Sequence, residues 1–178
     1  MKKIILSLVC VGLLCGCSGY KEINNGFLVT SVAVGKTDND IEIMLNVIQP
    51  ENEKGLILSG SGTDLKSAYK EIKKSQTKTL YFEHCGTIVL NQNIKGETKQ
   101  ILNFCKSQMN IPIAAQVVYC SDAKALFNAD QTGYDVISLI KNTGGNGQNR
   151  IYKIEQGKNT KIPTVAVKDN TMVFEGEK

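Results

Sequence analysis

Phe27-Leu-Val-Thr-Ser-Val-Ala-Val-Gly35, then Lys36-Thr-Asp-Asn-Asp40, then Ile41-Glu-Ile-Met-Leu-Asn-Val-Ile48 form one continuous passage. The first run is rich in β-branched residues. The last alternates, with Ile41, Ile43, Leu45 and Val47 on one face. The five residues joining the runs carry turn chemistry, so the passage predicts an antiparallel hairpin. Pro50 ends its second strand. A hairpin with one apolar face needs a layer to bury it, and the following sequence supplies helices.

Leu56 to Gly60 predicts a third strand. Thr63 is placed to cap a helix whose Leu65, Ala68, Tyr69 and Ile72 recur at helical spacing. Leu80 to Leu90 reads as extended, and Glu97 to Gln108 as a second helix with Ile101, Leu102 and Cys105 inward. Ile113 to Tyr119 predicts a strand, and Ser121 a cap for a third helix carrying Ala123, Leu126 and Phe127. A fourth short helix is expected from Tyr134 to Asn142, and an exposed glycine-rich loop from Asn142 to Asn149. Val165 to Val167 and Met172 to Phe174 are expected as short closing strands. Strands and helices intermix, which predicts an α+β fold. It is a single domain over residues 27–178, a mixed β-sheet with an N-terminal β-hairpin and about four packed helices.

Upstream of that domain the chain changes character. Met1-Lys2-Lys3 is a basic start, and Ile4 to Cys15 is an apolar run of 12 residues. As a helix it would cover about 18 Å, short of a hydrocarbon core of roughly 30 Å, so it reads as a signal segment. Leu14-Cys15-Gly16-Cys17-Ser18 resembles the bacterial lipobox. That resemblance implies a signal peptide over residues 1–16, a diacylglyceryl group on the Cys17 thiol, acyl chains such as palmitate, and a lipidated polar leader over residues 17–26. The alternative is an ordinary cleaved signal with an incidental cysteine. Each buried methylene contributes about 0.8 kcal/mol, so one acyl chain holds marginally and two hold stably.

Composition excludes several classes. The chain has 178 residues, 42% hydrophobic and 21% charged, as a globular domain has. The formal charge of +4 falls to +2 once Lys2 and Lys3 leave with the signal, too little and too scattered for a nucleic-acid footprint. Outside the export segment three of the 6 cysteines remain, Cys85, Cys105 and Cys120. Their spacing suits neither a disulfide framework nor a metal site, and core packing is the expectation, with one disulfide between two of them left open. Gly60-Ser-Gly62 sits where a phosphate loop would sit, but Leu65 replaces the third glycine and no Lys-Ser/Thr pair follows. A turn with a helix cap is expected there. His84 is the only histidine and adjoins Cys85; neighbours on a strand point to opposite faces, which argues against a thiol–imidazole dyad. A polar residue at a strand turn, hydrogen-bonded locally, is expected. No catalytic, metal-binding or cofactor-binding constellation emerges, and no enzyme is predicted.

Glu22-Ile23-Asn24, Gly60 to Ala68, Lys78 to Leu90, Ile111 to Phe127 and Ile162 to Val165, taken in order, resemble the Ger(x)C spore-germination lipoproteins. Glu22-Ile23-Asn24 is similar to the end of that family's R-E-I-N leader, and Gly60 to Ala68 to its G-x-G-x-(S/T)-L-x-x-A passage. Lys78-Thr-Leu80-Tyr81-Phe82-Glu-His84-Cys85-Gly-Thr-Ile88-Val-Leu resembles K-x-L-Y-F-S-H-x-x-V-I-V-I, which places Leu80, Tyr81, Phe82 and His84 in a structural motif. Ile111 to Phe127 and Ile162-Pro163-Thr-Val165 resemble later parts of the family. Ser18-Gly19-Tyr20-Lys21 stands where the family usually has W-D-R. The likeness is to the family's N-terminal domain, in a short form lacking the usual C-terminal half. It implies the lipoprotein subunit of a nutrient germinant receptor. Such a subunit would be anchored on the outer face of the cell membrane, the spore inner membrane for a germination protein. It would act by binding and assembly with membrane subunits, with direct binding of the small-molecule germinant left open. The rival is a surface solute-binding or adhesion lipoprotein unconnected with germination. An enzyme using an exposed, acidified thiol ranks third.

Overall fold

The computed structural model describes residues 26–37, 39–49, 55–129, 138–139, 142, 149–157, 161–169 and 171–177. The predicted hairpin is present. β1 (Gly26–Lys36) pairs antiparallel with β2 (Ile41–Ile48), bringing Val34 opposite Ile43 and Val32 opposite Leu45. A bulge between Val29 and Ser31 shifts the register. The alternation read from the sequence has its physical counterpart: Val32, Val34, Ile43, Leu45 and Val47 share one buried cluster, while Ala33 and Met44 belong to another on the opposite face.

β3 (Gly55–Gly62) adds antiparallel to β2 and forms an edge. Helix α1 (Leu65–Ser75) then carries the chain back across the sheet, packing on β3 and β2. Its cap is Asp64, one residue beyond the expected Thr63. The Asp64 carboxylate accepts from the Ser67 N–H at 2.7 Å, and the Asp64 N–H donates to Ser67 Oγ at 3.1 Å. This reciprocal pair satisfies donors that a helix start leaves open. Gly60, expected to end the third strand, and Gly62, expected in a turn after it, both belong to β3. A Cβ on Gly60 would lie 2.5 Å from the Ala68 carbonyl oxygen, so the glycines let α1 lie directly on the strand.

The expected extended run from Leu80 to Leu90 is two strands. β4 (Thr79–Tyr81) and β5 (Thr87–Asn91) both pair parallel with β1, β4 along Gly26 to Leu28 and β5 along Ser31 to Val34. One long strand is thus served along one edge by two short ones. A 3-10 segment (Gln92–Glu97), not anticipated, leads into α2 (Thr98–Met109), which buries Ile101, Leu102 and Cys105 as expected. Asn110 ends α2 in the left-handed region at φ 58°, where its N–H reaches the Cys105 carbonyl.

β6 (Gln116–Cys120) is parallel to β5. It starts three residues later than predicted, and Ile113 is 53% exposed on the preceding turn. α3 (Ala123–Ala129) follows, its first turn accepted by Asp122 in place of the expected Ser121, through Ala125 N–H at 2.9 Å. The predicted helix from Tyr134 to Asn142 lies largely outside the described residues, as does most of the predicted loop. Asn149, the last residue of that loop, is buried and exchanges two 2.8 Å hydrogen bonds with the Val117 backbone, contrary to the exposed position expected for it. A further short helix, α4 (Ile151–Glu155), was not legible in the pattern. β7 (Pro163–Lys168) pairs parallel with β6, and β8 (Thr171–Glu177) closes the edge antiparallel.

The sheet runs β3-β2-β1-β5-β6-β7-β8, with β4 beside β1, an eight-stranded mixed sheet in an α+β fold. α1, α2 and α4 bury Leu65, Ala68, Ile72, Ile101, Leu102, Met109, Ile151 and Ile154 against one face. α3 buries Ala123, Leu126 and Phe127 against Ala33, Met44, Val89, Val118 and Val165 on the other.

Candidate functional site

Cys17, Glu22, Ile23 and Asn24 lie outside the described residues. The other motif residues come together where β4 gives way to β5. Leu80 and Tyr81 are on β4, Phe82 is buried, and His84 is exposed on the turn. Backbone bonds pin this turn: Cys85 N–H to the Phe82 carbonyl, Gly86 N–H to the Thr30 carbonyl and Gln116 N–H to the Gly86 carbonyl, each 2.9 Å. The His84 side chain has no hydrogen-bond partner among the described residues, so the local bond expected for it is not made. Tyr81 lies against the start of β1, where a Cβ on Gly26 would stand 2.0 Å from its ring.

Phe82 reaches inward to an aromatic group that ties three elements. Tyr69 of α1 meets Phe82 edge-on, ring centres 6.2 Å apart and planes at 71°, and meets Phe104 of α2 at 6.1 Å and 90°. The motif therefore fixes how both helices sit on the sheet.

The three cysteines of the domain are free and buried, with no disulfide. Burial pushes the Cys85 thiol up to about 12. It raises Cys105 as well, helped by the neighbouring Cys85, and raises Cys120. Thiolate chemistry needs an exposed, acidified sulfur, which none of the three offers. Among the described residues no group of His, Cys, Asp and Glu side chains is arranged to hold a metal ion. The glycines of Gly60-Ser-Gly62 are occupied by helix packing and cradle nothing.

Two features went unseen in the sequence. The first is a cationic face. Lys66, Lys70 and Lys74 are exposed along one stripe of α1 at four-residue spacing, with Lys73 beside them and Lys78 just beyond. Two open clefts of about 290 Å³ each flank Tyr69 there, one walled by Lys66, Lys70, Lys73 and Lys74, the other by Lys73, Lys78 and Leu80. The periodicity was available in the sequence, but a low net charge hid it. The second is a buried polar row. Asn46, Ser31, Thr87 and Gln116 are successive cross-strand partners on β2, β1, β5 and β6, all buried. Ser31 Oγ, Thr87 Oγ1 and Gln116 Oε1 have no hydrogen-bond partner among the described residues. This row depends on register between four strands, which no single-strand pattern reveals.

The family model for the spore germination protein N-terminal domain matches residues 19–165. The chain belongs to that family. The germination domain so defined takes in β1 to β6, the helices α1 to α4 and the first residues of β7, and therefore the motif turn, the aromatic group, the lysine face and the polar row. β8 lies beyond the matched span. No curated protein and no solved structure matches this germination domain. No described helix is long and apolar enough to cross a membrane.

Proposed function

We propose that this germination domain is the lipoprotein subunit of a nutrient germinant receptor. A diacylglyceryl group on Cys17 holds it on the outer face of the membrane, and it acts by assembling with the receptor's membrane subunits. The observation that carries this reading is order along the chain. A germination domain spanning residues 19–165 begins directly behind Leu14-Cys15-Gly16-Cys17, the stretch that resembles a lipobox.

The physics supports the arrangement. Two acyl chains hold a protein stably at a bilayer, where one does not. Confinement to a surface raises the effective concentration of the domain toward membrane partners, so modest contacts suffice for assembly. The buried, protonated thiols offer no chemistry that would compete with a binding role. Cys17→Ala is expected to release the protein from membranes and abolish the germination response. A soluble Cys17→Ala protein that still supports normal germination would overturn the reading. Capture of the tagged protein from spore membranes is expected to bring receptor-type membrane subunits with it. Co-capture of a transporter permease in their place would move the assignment to solute binding.

A further inference from the structure

The lysine face of α1 differs from the rest of the described surface. Elsewhere Lys36 pairs with Glu97 at 3.4 Å, Lys168 with Glu175 at 3.9 Å and Lys106 with Glu155, and the other described lysines without an ion pair, Lys95, Lys99, Lys124, Lys153 and Lys161, are spread over residues 95–161, whereas the α1 face gathers five within 13 residues. Lys66, Lys70, Lys73, Lys74 and Lys78 have no ion pair to any described residue. The one acidic residue within α1, Glu71, accepts a hydrogen bond from the Ser61 N–H on β3. Like charges four residues apart weaken a helix, so the Lys66–Lys70–Lys74 stripe is unfavourable for α1 on its own. An anionic surface outside the protein reverses that sign.

The position of the face says which surface. Gly26, the first described residue of β1, pairs with Thr79 next to Lys78, and the Lys78 ammonium sits 5.4 Å above the ring of Phe27. Thr79 and Lys78 line the same cleft as Tyr69 and Lys73. The chain therefore enters the domain at the edge of the cationic face. The nine Cα-to-Cα steps from Cys17 to Gly26 can reach at most about 30 Å, even fully extended. Tyr69 stands between the two clefts with a half-buried ring, the amphipathic type of side chain that settles at headgroup level.

We propose that α1 and Lys78 form a lipid-docking face, its two clefts receiving anionic phospholipid headgroups of the membrane that carries the anchor. This rests on the anchored reading above and adds an orientation to it: the domain lies with α1 on the bilayer and the β7–β8 hairpin at the far edge of the sheet. A basic cluster close to an acidic leaflet strengthens attachment by about fivefold per lysine and decays within a Debye length of about 10 Å at 0.1 M salt.

The test uses the full chain as recovered from cells, on vesicles of phosphatidylcholine alone and with about 30% phosphatidylglycerol. Retention on neutral vesicles reads the anchor; preference for anionic vesicles and lysine acetylation read α1. The expected result is that anionic vesicles protect Lys66, Lys70 and Lys74 from acetylation while Lys168 stays reactive, and that about 0.5 M salt removes the protection. K66Q/K70Q/K74Q is expected to lower the anionic preference about 100-fold without changing retention on neutral vesicles. Equal acetylation on both vesicles overturns the proposal. Protection seen in native membranes but absent on protein-free anionic vesicles also overturns it, assigning the face to an acidic protein. Loss from neutral vesicles with anionic preference intact removes the anchor and leaves the docking face.

Discussion

Ser31 and Thr87 face each other directly across the β1–β5 pair, both buried, and neither hydroxyl has a hydrogen-bond partner among the described residues. A buried hydroxyl without a partner carries its desolvation penalty uncompensated, about 1–3 kcal/mol. Thr87→Val keeps the branched shape and removes the penalty. It is expected to stabilise the domain by about 1 kcal/mol, read as a raised urea midpoint at unchanged slope. A Thr87→Val protein less stable than the parent would show that the hydroxyl is satisfied in solution.

Gly60 tests how closely α1 must lie on the sheet. A Cβ there would stand 2.5 Å from the Ala68 carbonyl oxygen and 2.7 Å from Ile72 Cγ1. The first of these is helix backbone, so the whole element must shift. Gly60→Ala is expected to cost about 1–3 kcal/mol in denaturant unfolding. The lifted helix would also carry Tyr69 away from Phe82, changing the near-ultraviolet signal of the aromatic group. Gly96, with open space around it, is the control: Gly96→Ala should leave both signals in place.

These positions show what the sequence could and could not reveal. The hairpin and the inner face of α1 were legible because their burial follows periods of two and 3.6 residues within one element. Gly60-Ser-Gly62 was misread because glycine pairs are also turn chemistry, and only the approach of α1 tells the two uses apart. The break at residues 82–86 is marked in the sequence only by Glu83, His84 and Gly86 between two apolar runs, which does not say that both runs pair with the same strand; its cause is that β1 is long enough to take two partners in tandem. α4 was missed because five residues with two inward isoleucines make too short a period to read. Of the site residues, Phe82 and His84 stood out by resemblance, whereas the lysine face required weighing one helix's outer stripe apart from the net charge.

Asp64 makes stability depend on acid. Its hydrogen bond from the Ser67 backbone, and then that to the Ser67 side chain, hold its carboxyl below the ordinary value of 3.8. A carboxyl lowered on folding stabilises the native state above its unfolded value, and that contribution disappears as pH falls through the lower folded value. The urea midpoint of the parent should therefore fall more steeply below about pH 4 than that of Asp64→Asn, which keeps a capping side chain without the charge. Parallel curves for the two proteins would remove the cap from the acid response.

The thiols predict the opposite limb. Burial raises Cys85 to about 12 and raises Cys105 and Cys120, so folding keeps all three protonated. Stability should then decline as pH rises past the unfolded thiol value of about 8.5. In the folded protein at pH 8 a thiol reagent is expected to label none of the three promptly, and all three in denaturant. One prompt thiol per chain recovered from cells would identify Cys17 as unacylated.

Phe82 and His84 separate the structural from the exposed side of one motif. Phe82 is buried against Tyr69, and Tyr69 against Phe104, so Phe82→Ala opens a cavity under both helices. The expected cost is about 3–5 kcal/mol, with germination lost through loss of folded protein. His84 is exposed and unbonded, and His84→Ala should leave stability within about 0.5 kcal/mol. Germination assays on membranes carrying equal amounts of the two chains then decide its role. Normal germination with His84→Ala confines the motif to positioning the turn. A defect at full stability makes the imidazole a contact for a membrane partner, on the turn that follows β4.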